Sequence, residues 1–191
     1  MTELNEFERA AQLVDFYGSD WSSLSGLSGD TIPPSDLVDI GLYCESVEPY
    51  AALVRNRNAP PDALEIVADR VCEWPDFETD NNSTITFIYS DAIEHILTTI
   101  TDHPNVSSNA LEYITGHRYL FVAHAAAKNP KAPIESVYDV LRRIEDIREE
   151  SLETDWNDYA IGELIDIIRT RVPVNTAEAR YIDPRQLVLG L

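Results

Sequence analysis

The chain has 191 residues, and its 34 acidic and 14 basic side chains give a formal net charge of −20. This balance excludes a sequence-reading nucleic-acid binder, because phosphate contacts need a basic surface. An apolar content of 44% is ordinary for a globular protein, so the composition predicts a folded chain despite its charge. Two cysteines, Cys44 and Cys72, are too few for a disulfide framework or a thiolate metal site. A disulfide between them is one reading, and two buried free thiols are the prediction.

The first predicted element is a helix over residues 3–17, within an N-terminal cap that covers residues 1–28. Three glutamates lie within the first ten residues, and no apolar stretch of secretory length accompanies them, so we expect no signal peptide. The longest apolar runs, such as residues 119–127, are too short to span a bilayer. We therefore expect a cytoplasmic protein that does not enter a membrane.

One pattern recurs four times between residues 29 and 145. An apolar residue precedes Pro or Ser, and aliphatic residues follow it five and eight positions later. The apolar residue and its two aliphatic partners are, in chain order, Ile32, Leu37 and Ile40; Ala59, Leu64 and Val67; Val106, Leu111 and Ile114; and Ala132, Val137 and Val140. The copies lie 27, 47 and 26 residues apart. Fixed periods of this length are typical of a solenoid.

Each copy of the pattern predicts a helix start. Ser107 has the side chain of an N-cap residue, whose hydroxyl accepts hydrogen bonds from the first exposed N–H groups of a helix. Val106 and Leu111 then have the spacing of a hydrophobic staple. Pro34 and Pro61 fall at the first helical position, where a missing N–H group costs nothing. Apolar runs that end in Asn, Asp or His precede the motifs, so the predicted unit is helix, short turn, helix.

The turn from Asn129 to Pro133, with sequence NPKAP, resembles that of the leucine-rich repeat variant (LRV) family, which is related in shape to HEAT repeats. The resemblance covers residues 29–145. It implies an all-α fold, a right-handed α-solenoid of short helix-turn-helix repeats with helical caps, which binds other macromolecules. A described member of that family carries an iron–sulfur cluster, but two separated cysteines supply no ligand set here, so we expect no cofactor.

An acidic insertion near residues 73–92 interrupts the repeats. Loops inserted into solenoids often bind partners, and this one carries aromatic side chains among acids. The predicted partner-binding residues are Glu73, Trp74, Asp76, Phe77, Glu78 and Asp80. A solvated loop whose aromatic side chains fold back on the core is the alternative. Residues 84–89 have strand propensity, yet a lone strand has no partner in this plan, so helix or extended loop is favoured.

The insertion is also the best approximation to a metal-binding motif in the sequence. Its alternating oxygen donors suit a Ca²⁺ loop, but Asn81 stands where such a loop needs Gly, and Phe87 stands where it needs Glu. No nucleotide-binding, hydrolase or metalloprotease motif occurs in the chain. We therefore expect neither a metal site nor an enzyme.

Residues 146–191 are predicted to form C-terminal helices and a tail, completing a single domain over residues 1–191. The predicted helices run from 136 to 152 and from 155 to 170, and the tail has an apolar end. Residues 1–100 hold three quarters of the net negative charge, which indicates a polar binding surface, although acids that merely coat exposed helices would give the same sum.

The sequence thus predicts a non-enzymatic acidic module that binds a protein with a basic surface. An inhibitor or immunity protein and a mimic of nucleic-acid charge both fit this description, and neither binds nucleic acid directly. The alternative is a structural or assembly protein that self-associates through its terminal repeat or its tail, so a homo-oligomer is compatible with the sequence.

Overall fold

The computed structural model describes residues 8, 12, 32–44, 46–74, 78–79, 85–86, 88–150 and 155–172. The fold of these residues is all-α. Its helices are α1 (Pro34–Tyr43), α2 (Val47–Leu53), α3 (Pro61–Cys72), α4 (Ile88–Thr101), α5 (Ser108–Thr115), α6 (Leu120–Lys128), α7 (Ile134–Glu150) and α8 (Asp155–Arg171). Glu8 and Gln12 are helical, and the rest of the predicted helix over residues 3–17 lies outside the described residues.

The four predicted helix starts are confirmed. Helices α1, α3, α5 and α7 each begin two residues after the apolar residue of the motif. All twelve apolar and aliphatic positions of the pattern are buried. At the third copy, the Ala110 N–H donates to Ser107 Oγ at 3.0 Å, which is the predicted N-cap hydrogen bond. The local signals therefore act as the sequence predicts, because a cap and a staple need only residues that are close along the chain.

The turns before α3, α5 and α7 share one hydrogen-bond pattern. In each, the side chain of the first residue accepts the N–H of the residue two positions later, and its carbonyl accepts the N–H three positions later. The side-chain acceptors are Asn56 (2.9 Å from Asn58 N), His103 (3.1 Å from Asn105 N) and Asn129 (2.9 Å from Lys131 N). The carbonyl bonds measure 2.8, 3.1 and 3.0 Å in the same order. A histidine Nδ1 thus replaces the asparagine oxygen at the second turn.

The prediction for residues 84–89 is wrong at Ile85 and Thr86. These residues form strand β2 (Ile85–Thr86), which pairs antiparallel with β1 (Glu78–Thr79), Glu78 opposite Thr86 and Thr79 opposite Ile85. The partner comes from the acidic insertion itself, whose polar residues give no apolar alternation that would mark a strand. From Ile88 onward the chain is helical, as α4.

The chain divides into two compact units, Met1–Ile114 and Thr115–Leu191. In the first unit, α1 contacts α2 and α3, and α4 contacts α2 and α3. Its core includes Leu37, Ile40, Tyr50, Leu64 and Ile96, all fully buried. In the second unit, α6, α7 and α8 contact one another. Val122, Val140, Ile144 and Leu164 form part of its core. The single domain over residues 1–191 stays a prediction.

Candidate interaction surfaces

The two units differ sharply in charge. Residues 1–114 contain 21 acidic and four basic side chains, a formal net charge of −17. Residues 115–191 contain 13 acidic and ten basic side chains, a net charge of −3. The first unit therefore carries nearly all of the excess negative charge, and any electrostatic attraction of a cationic partner is concentrated there.

Helix α3 positions a line of carboxylates on one of its faces. Asp62, Glu65, Asp69 and Glu73 are spaced by three, four and four residues, which is the spacing of one helix face. Asp62, Asp69 and Glu73 are exposed, and Glu65 is half-buried. The opposite side of α3 packs into the core through Leu64, Val67 and Val71, which fixes the direction of the acidic side.

Glu65 connects this line to the start of α5. Its Oε2 atom accepts a hydrogen bond from Ser107 Oγ at 3.2 Å, and its Oε1 atom accepts one from Asn109 Nδ2 at 3.3 Å. In the repeat, Glu112 of α5 is the equivalent of Glu65, and its side chain is exposed. We call the five carboxylates of this region the acidic face: Asp62, Glu65, Asp69, Glu73 and Glu112.

Arg70, the basic residue of α3, makes a hydrogen bond on the core side of that helix. Arg70 Nη1 donates to the Tyr50 hydroxyl at 3.4 Å, and that hydroxyl donates to the Gly41 carbonyl at 3.2 Å. Arg55 is exposed and donates to His95 Nε2 at 2.7 Å.

Two of the six predicted partner-binding residues have described side chains. Glu73 is exposed at the end of the acidic face. Trp74 is half-buried, and its ring stacks on Tyr50 with centroids 5.5 Å apart and planes 12° apart. For this aromatic residue the structure therefore matches the alternative, in which the side chain folds back on the core. The backbone of Glu78 lies in β1, and Asp76, Phe77 and Asp80 lie outside the described residues.

A second surface in the unit Thr115–Leu191 was not predicted from the sequence. Helices α6 and α8 run in the same direction, since Lys128 contacts Glu163 and Arg171 contacts the turn after α6. Phe121, Trp156 and Tyr159 are 53%, 39% and 60% exposed. Together with three polar neighbours they form a set that we call the aromatic patch: Phe121, His124, Lys128, Trp156, Tyr159 and Glu163. The available signal was that Trp156 and Tyr159 fall outside the buried side of α8, which includes Leu164 and Ile168.

Glu163 is the polar centre of the aromatic patch. Tyr159 donates its hydroxyl to Oε1 at 2.8 Å, and Lys128 Nζ lies 3.0 Å from Oε2. The hydrogen bond from Tyr159, assisted by Lys128, lowers the pKa of the Glu163 carboxyl below its ordinary value. The same hydrogen bond raises the pKa of the Tyr159 hydroxyl. Glu163 is therefore a stable anion at neutral pH.

His124 lies beneath these charges. It is buried, its Nε2 atom lies 3.3 Å from Glu163 Oε2, and its ring meets Trp156 edge-on with centroids 5.8 Å apart. Burial lowers the pKa of His124 from 6.5, and the nearby Glu163 carboxylate offsets only part of that effect. The imidazole is therefore neutral at pH 7 and packs as an aromatic ring.

Both cysteines are free thiols, as predicted. Cys44 is buried, and burial raises the pKa of its thiol to about 11, so it is a poor nucleophile. Cys72 is half-buried rather than buried. Among the described residues, no group of three or more His, Cys, Asp or Glu side chains converges to hold a metal ion. None of the described helices has the length and apolar composition that crossing a membrane requires.

Comparison with known proteins finds no relative of this chain. No protein family, curated protein or solved structure matches the chain.

Proposed function

We propose that the chain is a right-handed α-solenoid of the LRV/HEAT kind. Support comes from contacts between equivalent helices in the first unit, where α1 packs on α3 and α2 packs on α4. The turns are also linked from copy to copy, since His103 Nε2 donates to the Asn56 carbonyl at 2.9 Å. In the second unit, Arg171 Nη2 donates to the carbonyl of Asn129, the residue equivalent to Asn56, at 2.6 Å.

We propose that this solenoid is a non-enzymatic module that binds a protein with a basic surface. The acidic face carries the proposal, because its carboxylates share one side of consecutive repeats and four of the five are exposed. Charges that act together over such an area attract a cationic partner and speed its association. The partner would present arginine or lysine side chains at a matching spacing.

Two roles follow from this chemistry. A protein that inhibits or confers immunity against a nuclease would cover the cationic site that normally holds the phosphate backbone. A mimic of nucleic-acid charge would occupy the same kind of site on a nucleic-acid-binding protein. Both act in the cytoplasm without a cofactor, and the two free thiols are in keeping with a reducing compartment.

The test compares two triple variants that change the net charge equally but at different places. Asp62→Lys, Asp69→Lys and Glu73→Lys reverse the exposed part of the acidic face. Asp139→Lys, Asp146→Lys and Asp166→Lys, all exposed in the second unit, are the matched control. The probe is a small cationic ribonuclease, with a neutral protein of similar size as the negative probe. Affinity is measured by calorimetry and function by inhibition of the ribonuclease.

We expect the wild-type chain to bind the cationic ribonuclease and to show no binding to the neutral protein. Reversal of the acidic face should weaken binding at least about tenfold, whereas the control should weaken it less than about threefold, because the control changes the net charge without changing the proposed contact surface. Equal losses in the two variants would contradict the acidic face as the binding site. Absence of binding to the cationic probe at low salt would contradict the charge-based proposal itself.

A further inference from the structure

The aromatic patch has features that the acidic face does not explain. Its three aromatic side chains are exposed to between 39% and 60%. Aromatic residues are the side chains most enriched at the centres of protein interfaces, where burial of one ring removes a large apolar area from water. A cationic partner drawn to the first unit has no electrostatic reason to seek the second unit, so the occupant of this patch is of another kind.

The charge of the second unit favours a second copy of the same chain. Two molecules with a net charge of −20 repel one another, and the repulsion is weakest between the surfaces that carry least of it. The unit Thr115–Leu191 has a net charge of only −3, against −17 for the unit Met1–Ile114. Contact between two second units is therefore the approach that like molecules tolerate best.

The aromatic patch is also complementary to itself. Lys128 and Glu163 lie side by side in it, with side chains 43% and 26% exposed. A two-fold axis through the patch would set Lys128 of one copy opposite Glu163 of the other, and Glu163 opposite Lys128. Each half of the interface thus contains both members of every ion pair, and the exposed rings would pack on one another.

Gly162 provides room for such an approach. It lies in the middle of α8, three residues after Tyr159, and a Cβ atom added there would meet no atom of the described residues within 4 Å. Glycine in a helix interior costs about 1 kcal/mol relative to alanine. No close contact in the part of the chain that the structure describes requires a glycine at this position. A glycine with open space beside exposed aromatic rings permits another backbone to come close.

We infer that the aromatic patch is a self-association surface, to which the aromatic patch of a second copy of this chain docks about a two-fold axis. Phe121, Trp156 and Tyr159 supply the buried apolar area, and the reciprocal Lys128–Glu163 pairs set the register.

A charge exchange tests this inference with the full chain. Lys128→Glu gives a patch with two negative side chains, and Glu163→Lys gives a patch with two positive ones. The wild-type mass in solution should rise from 21.5 kDa toward twice that value as the concentration increases. Each single variant should stay monomeric because its two copies repel. An equimolar mixture of the two variants should recover dimers, since the reciprocal pairs are then restored between unlike copies.

A second pair of variants keeps the test decisive if a charge variant fails to fold, which thermal unfolding followed by circular dichroism would reveal. Phe121→Ser with Tyr159→Ser should reduce the association constant at least tenfold. Ile147→Ser is the matched control, because Ile147 is 43% exposed and belongs to α7, outside the patch, and it should leave association unchanged. If the aromatic patch bound a different protein instead, the mixture of charge variants would not form dimers.

Three results would overturn the inference. One is a monomeric mass for the wild type up to about 0.5 mM, a concentration that reveals even weak specific complexes. Another is a mixture of the two charge variants that stays monomeric while the wild type dimerises. The third is self-association that persists unchanged in both the charge and the serine variants, which would assign it to another part of the chain such as residues 173–191.

Discussion

The Nε2 atom of His103 lies 2.9 Å from the carbonyl oxygen of Asn56, and the two residues occupy the same position in consecutive turns. The other ring nitrogen, Nδ1, accepts the N–H of Asn105 at 3.1 Å. A carbonyl can only accept, so His103 is the neutral tautomer with its proton on Nε2. One imidazole therefore closes its own turn and fastens that turn to the preceding one.

This double role predicts a graded effect of substitution at His103. His103→Ala leaves the Asn105 N–H and the Asn56 carbonyl without this partner in a buried site, and we expect a loss of about 2–4 kcal/mol in the free energy of unfolding. His103→Asn should cost about half as much, because asparagine closes the equivalent turns at Asn56 and Asn129 but is too short to reach the preceding turn. Urea unfolding measures the free energy of unfolding of both variants. Equal losses in the two would contradict separate contributions from closing the turn and from linking it to the preceding turn.

Ser107 should contribute to stability as the N-cap of α5. Ser107→Ala removes the acceptor of the Ala110 N–H and the donor to Glu65, so we expect a loss of about 1 kcal/mol. The control is Ser108→Ala, one residue further along and exposed, which should change stability by less than about 0.5 kcal/mol. A comparable loss in both variants, again by urea unfolding, would argue against the cap.

The two thiols should differ in reactivity in the native protein. At pH 8 a thiol with a pKa of about 11 is almost entirely protonated, and Cys44 is buried as well. We expect Cys72 to react with an aromatic disulfide reagent at least about tenfold faster than Cys44, and both to react rapidly after denaturation. Cys44→Ser and Cys72→Ser assign the two phases. A fast phase that survives in Cys72→Ser would contradict the burial of Cys44.

His124 should make stability depend on pH. Because burial lowers its pKa in the folded state, the unfolded chain binds a proton at His124 more readily than the native protein. The part of the free energy of unfolding that depends on neutral His124 is thus fully present above pH 6.5. It is lost as the pH falls toward the lower pKa that His124 has in the folded state. Urea unfolding at pH 7.5 and pH 5.0 measures it.

The variant His124→Gln should lose less stability than the wild type over that interval, because it lacks the titrating ring. Comparing the two proteins cancels the contributions of the remaining histidines and carboxylates. A pH dependence that is the same in both would show that His124 does not titrate differently on folding.

Local signals in the sequence predicted the helix starts, whereas contacts between residues that are far apart along the chain were not predicted. The motif at Val106, Ser107 and Leu111 contains the whole of a cap and a staple, so its structure follows from neighbouring residues. The pairing of Ile85 with Thr79 has no such signal, because its polar strand partner is recognisable only once the chain has folded. The same reason explains why the stacking of Trp74 on Tyr50 was not predicted.

Neither surface was predicted from the sequence, where only Glu73 of the acidic face was named. The spacing of Asp62, Asp69 and Glu73 is nevertheless visible along the chain, and a helix over these residues is enough to place the three carboxylates on one side. The aromatic patch required knowledge that α6 lies against α8, a contact between segments about 35 residues apart. The low net charge of the second unit, −3, could be counted only after the boundary at Ile114 was known.

The salt dependence of association tests the proposed use of the acidic face most directly. Calorimetric titration of the full-length chain with the cationic ribonuclease, repeated from about 50 mM to about 1 M salt, measures the affinity as the Debye length falls to a few ångströms. We predict that the affinity falls by at least about tenfold over this range and that the variant with Lys at 62, 69 and 73 shows a much shallower dependence. Binding that is equally tight at both ends of the range would contradict an electrostatic role for the acidic face.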